Sequence, residues 1–210
     1  MKRFWRELRW LWGTSWPLYA ATVLGTNVIA AIGCMLFVRY LIPMPEVHEL
    51  GLGGQLGAIG VIYAAVAVVL GIVVTLYLFR PVLEWQRHPD GHDPNMVRHL
   101  VMRLPVLQTI IVVGVWGIGT AIVTVGAWRV DVRLATVVLA TAALTTFVTA
   151  VLTYLQAERL VRPIAASALA RRFEDSTLQP PIKWQLYLTW FTTSAVPMVG
   201  VLLLTVAQRY

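Results

Sequence analysis

His88, Asp90, His92 and Asp93 fall within six residues, and His99 follows shortly after. Imidazole and carboxylate are borderline and hard ligands, so such a set could hold a divalent cation. The same stretch carries Pro89, Gly91 and Pro94, and Asp beside Gly and Pro is the usual material of a polar turn. It has neither the HExxH spacing of a helix-borne zinc site nor a cysteine partner. A polar loop is the preferred assignment, and no metal ligand is assigned. Glu46, His48 and Glu49 form a second tip that could meet a cation, and it reads as a solvated turn. The chain shows no nucleophile beside a base, no glycine loop built to cradle phosphate and no paired cytoplasmic carboxylates. No catalytic or cofactor-binding residue is assigned, and the chain reads as lacking a catalytic site of its own.

The residues that stand out are mechanical. Arg80-Pro81 in YLFRPVLEW (Tyr77 to Trp85) and Arg162-Pro163 in ERLVRPIAASALA (Glu158 to Ala170) each fall where a long apolar run ends. Proline fixes its own φ, restricts the residue before it and can open a helix at its first position. Arginine beside it marks the cytoplasmic lipid interface. Arg80, Pro81, Arg162 and Pro163 are therefore expected to be signal-coupling joints, each ending a membrane helix and opening a cytoplasmic one. With Pro163 opening that helix, Ile164, Ala168 and Leu169 would share a face, extended by Phe173. Arg171 and Arg172 would complement its dipole, and Pro180-Pro181 would lie beyond its end. The two joints also suggest a weak internal repeat: descending helix, Arg-Pro, cytoplasmic stretch, ascending helix. Pro105 stands at the entrance of one ascending helix, and Trp184 with Tyr187 at the other.

What positions these joints is a membrane bundle. The 210 residues are 58% hydrophobic and 13% charged, against about 25% charged in a soluble domain, and the mean hydropathy is +0.71. The fold class expected is all-α, a polytopic transmembrane helical bundle. A basic interfacial segment, 1–15, leads into a helical domain, 16–207. Five spans are placed near 16–38, 56–79, 105–128, 134–156 and 186–207, with cytoplasmic loops at 80–104 and 157–185. Lys2, Arg3, Arg6 and Arg9 precede the first span. Arg80, Arg87, Arg98 and Arg103 fall in one loop, and Arg159, Arg162, Arg171, Arg172 and Lys183 in the other. The opposite side holds only Arg39, Arg129 and Arg133, so thirteen basic residues face three. The N-terminus is expected in the cytoplasm and the protein in the plasma (inner) membrane. Five spans leave Gln208 to Tyr210 outside, where a short turn and a sixth span would be expected, so a fragment of a longer polypeptide is anticipated.

The net charge of +7 does not point to nucleic acid, because the basic residues sit at run ends and not on a face interleaved with stacking aromatics. Cys34 is the single cysteine, which excludes an intrachain disulfide and a multi-cysteine zinc site. The first apolar run, from Trp16 to Val38, is too long for a signal-peptide core. Within the spans the polar residues are Asn27, Gln108 and threonines of the fourth run. The absence of Asp, Glu, Lys or His at mid-span argues against a proton-coupled transporter. Asn27 and Gln108 are expected to hydrogen-bond between helices. Small residues recur at spacing four at Gly53/Gly57, Gly117/Ala121 and Ala142/Thr146/Ala150, and Trp85, Trp116, Trp128, Trp184 and Trp190 read as an interfacial aromatic belt.

The segment Arg159-Leu-Val-Arg162-Pro163-Ile-Ala-Ala-Ser-Ala-Leu-Ala170, then Leu188-Thr-Trp190 and Ser194-Ala-Val196-Pro197-Met-Val-Gly200, resembles the membrane half of mycobacterial class III adenylate cyclases. The likeness covers the latter two-thirds of the chain. In that family six spans lead into a HAMP linker and a cyclase domain. The resemblance implies a homodimeric sensory module, a lipid or fatty-acid ligand between helices, and downstream conversion of ATP to cyclic AMP with Mg or Mn. It implies no cofactor in this chain, with the sixth span, the linker and the catalytic domain expected beyond Tyr210. The alternatives are the membrane domain of another HAMP-linked protein such as a sensor kinase, a stand-alone transporter or channel subunit, and a membrane scaffold.

Overall fold

Inside a bilayer every backbone polar group has to be satisfied within the protein, and a helix does this within one segment. The computed structural model describes residues 10–37, 52–88, 94–169, 186–187 and 189–208, and no strand occurs among them. Four long helices follow one another: α1 (Trp16–Leu36), α2 (Leu52–Arg87), α3 (Pro94–Trp128) and α4 (Val132–Leu169). A turn of π-helix, Phe191–Ala195, leads into α5 (Val196–Gln208). The expected all-α class holds.

Four segments are long and apolar enough to cross a membrane: Trp16–Leu36, Ala58–Arg87, His99–Trp128 and Val132–Ile164. This marks a membrane protein. The fifth expected span, 186–207, is not among these four segments; helix runs there from 189 through the π-turn to Gln208. The π-turn has a local cause. Pro197 has no N–H to return to the preceding turn, and the Val196 N–H instead bonds back to the Phe191 carbonyl.

Helix extends into the segments expected as loops, covering 80–87, 94–104 and 157–169. Pro81, Pro105 and Pro163 are interior to α2, α3 and α4. The expectation that the prolines end one helix and open another is therefore corrected. An interior proline costs about 3 kcal/mol, and burial around it offsets that. Phe79 and Val82 flank Pro81 at 0% exposure, and Leu104 precedes Pro105 at 1%. Arg80 Nε also reaches Glu84 Oε1 at 2.8 Å, a pair that straddles Pro81 on the outside of the helix.

α1 packs on α2 and α4, α3 packs on the same two helices, and the α3–α4 contact is the most extensive. A short turn joins α3 to α4, and Asp131 Oδ2 caps it by accepting the Leu134 N–H at 3.3 Å. One buried cluster gathers Tyr19, Val23, Phe79, Leu83, Val101 and Val161 near the Arg-Pro pairs. A second gathers Ala127, Leu134, Ala135 and Val138 at the opposite end. Arg80, Arg87, Arg103, Arg159 and Arg162 thus fall toward the first end, and Arg129 and Arg133 toward the second. Most threonines of α1 and α4 settle their hydroxyls by bonding back one turn, as in Thr22 to Leu18 O at 2.8 Å and Thr149 to Thr145 O at 2.7 Å, while Thr141 Oγ1 has no partner among the described residues.

Candidate functional site

The packing fixes a common depth scale. The rings of Tyr19 and Phe79 are 4.9 Å apart, centre to centre, and α1 and α2 run antiparallel. Two residues before Tyr19 is Pro17, and two residues after Phe79 is Pro81, so those prolines lie at one level. Pro163 lines one cavity wall together with Ser15, Tyr19 and Phe79, which puts α4's proline at that level too. On α3, Trp116 Nε1 donates to Asn27 Oδ1 at 2.9 Å. Pro105 is eleven residues from Trp116, and Pro17 is ten from Asn27. With a rise of about 1.5 Å per residue the two agree within a single residue. All four long helices therefore carry a proline in the same layer.

Pro17 sits in the first turn of α1, where its missing N–H costs nothing. The other three each leave the carbonyl four residues earlier without its helical donor: Tyr77, Val101 and Arg159. Such positions are where helices bend. The layer is a plane in which three helices are weakened together, while the buried cluster around it holds them in register.

The sequence-assigned joints divide on inspection. Pro81 and Pro163 belong to this layer. Arg80 and Arg162 point outward, 71% and 61% exposed, and each pairs with a carboxylate on its own helix, Arg162 reaching Glu158 at 2.9 Å. Exposed pairs of this kind contribute little to stability. Sequence reasoning found two of the four prolines as joints and treated Pro105 as a span entrance. The missed signal was the equal distance of each proline from a shared contact, which no single helix reveals.

Toward the middle of the bundle lies a polar hub. Asn27 Nδ2 donates to Val23 O at 2.8 Å and lies 3.4 Å from Thr153 Oγ1. Next to it in the chain, Thr26 Oγ1 donates to Gln156 Oε1 at 2.9 Å. α1 is thereby tied to α3 and α4. The interhelical role expected of Asn27 holds. Trp116 belongs to this hub and not to an interfacial belt, and Trp85 is a buried member of the core at 7% exposure. Gln108 is 2% exposed, and its Oε1 has no hydrogen-bond partner among the described residues. Above the hub, the Tyr63 hydroxyl donates to the Val115 carbonyl, and its ring crosses α3 at Gly119. Close approach thus uses Gly119, while Gly117, singled out by spacing, has open space around it.

Among the described residues no three His, Cys, Asp or Glu side chains converge on a common point. Asp90, His92, Asp93, Glu46, His48 and Glu49 lie outside the described residues, as do Arg171, Arg172 and Phe173. What the described residues offer is a layer of prolines beneath a hydrogen-bonded hub. No family model matches the chain, and neither the curated proteins nor the solved structures contain a significant match to it.

Proposed function

We propose that this chain is the sensory and dimerising membrane domain of a signalling protein, and that helix packing in the bilayer is relayed through its cytoplasmic helix ends. The observation that carries this reading is the proline layer, with α2, α3 and α4 continuing through it as helix. Three helices weakened in one plane can pivot together, and the packed cluster lets the segments beyond the plane move as a unit. A ligand drives such a movement only by favouring one packing over the other.

The parent protein proposed is an adenylate cyclase of the six-span, HAMP-linked kind that residues 159–170 and 188–200 resemble. On this reading residues 186–207 form a fifth span and a sixth follows. The N-terminus is cytoplasmic in the plasma membrane, the chain forms a homodimer, and a lipid or fatty acid is the ligand. The domain beyond it makes cyclic AMP from ATP with Mg or Mn. A sensor kinase would use the same membrane architecture. A transporter or channel is disfavoured, because the middle turns of the four long helices carry no Asp, Glu, Lys or His.

The test weighs the native polypeptide in its own membranes with an antibody to residues 88–99 and assays those membranes for cyclic AMP. A species heavier than 23.4 kDa with cyclase activity is expected. Pro163→Ala should change the activity across lipid conditions and leave membrane insertion intact. A 23.4 kDa species, or a heavier one that forms no cyclic AMP, would refute the cyclase parent, and autophosphorylation would identify a kinase.

A further inference from the structure

At the proline layer, α1, α2 and α4 enclose a cavity of about 310 Å³, open to one side. Ligand sites begin at about this size. Its walls are mostly apolar, with Leu18, Leu160 and Ile164 among them, and Arg159 and Ser15 also line it. Two features of the polar groups point to a missing partner. Arg159 is exposed, and no acidic partner to it occurs among the described residues. Ser15 Oγ accepts from Gln86 Nε2 at 3.1 Å, which leaves its own O–H free to donate.

We propose that this cavity binds the phosphate headgroup of an anionic phospholipid. Arg159 supplies the charge-assisted contact that suits a phosphate oxygen, and the Ser15 hydroxyl supplies a neutral donor to the headgroup. The apolar wall favours a lipid over free phosphate. A solvated anion gains nothing from Leu18, Leu160 and Ile164 and loses hydration against them, whereas the first methylenes of a lipid are buried there. The exposed Leu18, at 63%, and the apolar outer face of α2 lead the acyl chains away. The position agrees, because basic clefts between helices on the arginine-rich side meet the anionic lipid surface. Pro163 is part of the wall, so an occupied cavity bears directly on the hinge plane. The site stands whatever catalytic domain the chain drives, so its failure and that of the cyclase reading are separately visible.

The experiment reconstitutes the full chain in nanodiscs of phosphatidylcholine mixed with phosphatidylglycerol, releases it, and counts retained lipids by native mass spectrometry. Phosphatidylglycerol should be retained in preference. Arg159→Gln should lower that preference about tenfold, and Leu18→Trp, which fills the cavity from its exposed edge, should lower it too. Arg80→Gln, outside the cavity, should leave it unchanged. Circular dichroism of each variant verifies that it is folded, and Arg159→Lys should restore part of the preference. The proposal is overturned if the wild type shows no preference, if Arg80→Gln acts as strongly as Arg159→Gln, or if Leu18→Trp is without effect. Displacement of phosphatidylglycerol by inorganic phosphate would also overturn it, in favour of a soluble anion.

Discussion

Breaking the polar hub at Asn27 should loosen α1 from α3 and α4 in a way that pairwise substitution can measure. Asn27 makes one short interhelical bond, accepting from Trp116 Nε1 at 2.9 Å, and one longer contact to Thr153 Oγ1 at 3.4 Å. Its third bond, to Val23 O at 2.8 Å, lies within α1 and does nothing to hold helices together. Interhelical hydrogen bonds in membrane proteins average about 0.6 kcal/mol and reach about 1.7. The short bond belongs toward the upper part of that range and the longer one near its bottom. Asn27→Leu should therefore destabilise the bundle by about 1–3 kcal/mol, since it also strands the partly buried Trp116 indole N–H. Trp116→Phe alone should cost about as much, because it strands Asn27 Oδ1 and removes packing surface.

The double variant separates the bond from the packing. With both partners apolar nothing is stranded, so Asn27→Leu/Trp116→Phe should be less damaging than the two singles added together. The coupling expected is about 0.6–1.7 kcal/mol. Unfolding in mixed micelles by added dodecyl sulfate, followed by far-ultraviolet circular dichroism, gives each free energy. Replacing Thr153 by Ala in the Asn27→Leu background should add little, since its contact is the weak one. Additive singles, with a coupling near zero, would refute the assignment of Asn27 and Trp116 as the bond that ties α1 to α3.

Gly119 and Gly117 should respond oppositely to alanine. A Cβ at Gly119 would lie 2.6 Å from Tyr63 Cε1, while one at Gly117 meets nothing within 4 Å. Gly119→Ala should cost about 1–3 kcal/mol by overpacking, Gly117→Ala should be near neutral or stabilising, and the same micelle titration reads both. Orientation is tested by single cysteines in a Cys34→Ala background. Cysteine at His88 should be labelled by an impermeant maleimide only from the cytoplasmic side, and cysteine at Asp131 only from the other. Labelling of both positions from one side would remove the assigned topology.

The helical class and the four long apolar helices were legible because a bilayer leaves the backbone few other choices. Helix ends were harder. Local rules stop a helix before proline, and they were overruled at Pro81, Pro105 and Pro163 by burial of Val82, Leu104 and Ile164, a tertiary effect no window of sequence contains. Asn27 was legible as a polar residue with nowhere to go in lipid. Its partner was not, since Trp116 looks like any membrane tryptophan until α1 and α3 are laid side by side. Tyr63 over Gly119 escaped for the same reason, because spacing-four small residues recur by chance and only a neighbour selects among them.

The proline layer and the hub belong to one mechanical argument. A helix weakened alone bends in any direction its neighbours permit, and its movement is absorbed locally. Here the hub clamps α1 to α3 and α4 about 15 Å from the layer, as the ten residues from Pro17 to Asn27 require. Above the layer α3 and α4 are thus held to α1, and Tyr63 ties α2 to α3; below it Val82, Leu83 and Trp85 pack with Val101 and Ile164 in one cluster. The same cluster reaches across the layer through Tyr19, Phe79 and Val161, so a tilt at the three weakened helix turns breaks no further backbone bonds but has to carry those side chains with it. Such a tilt displaces the distal ends of α2 and α4 together.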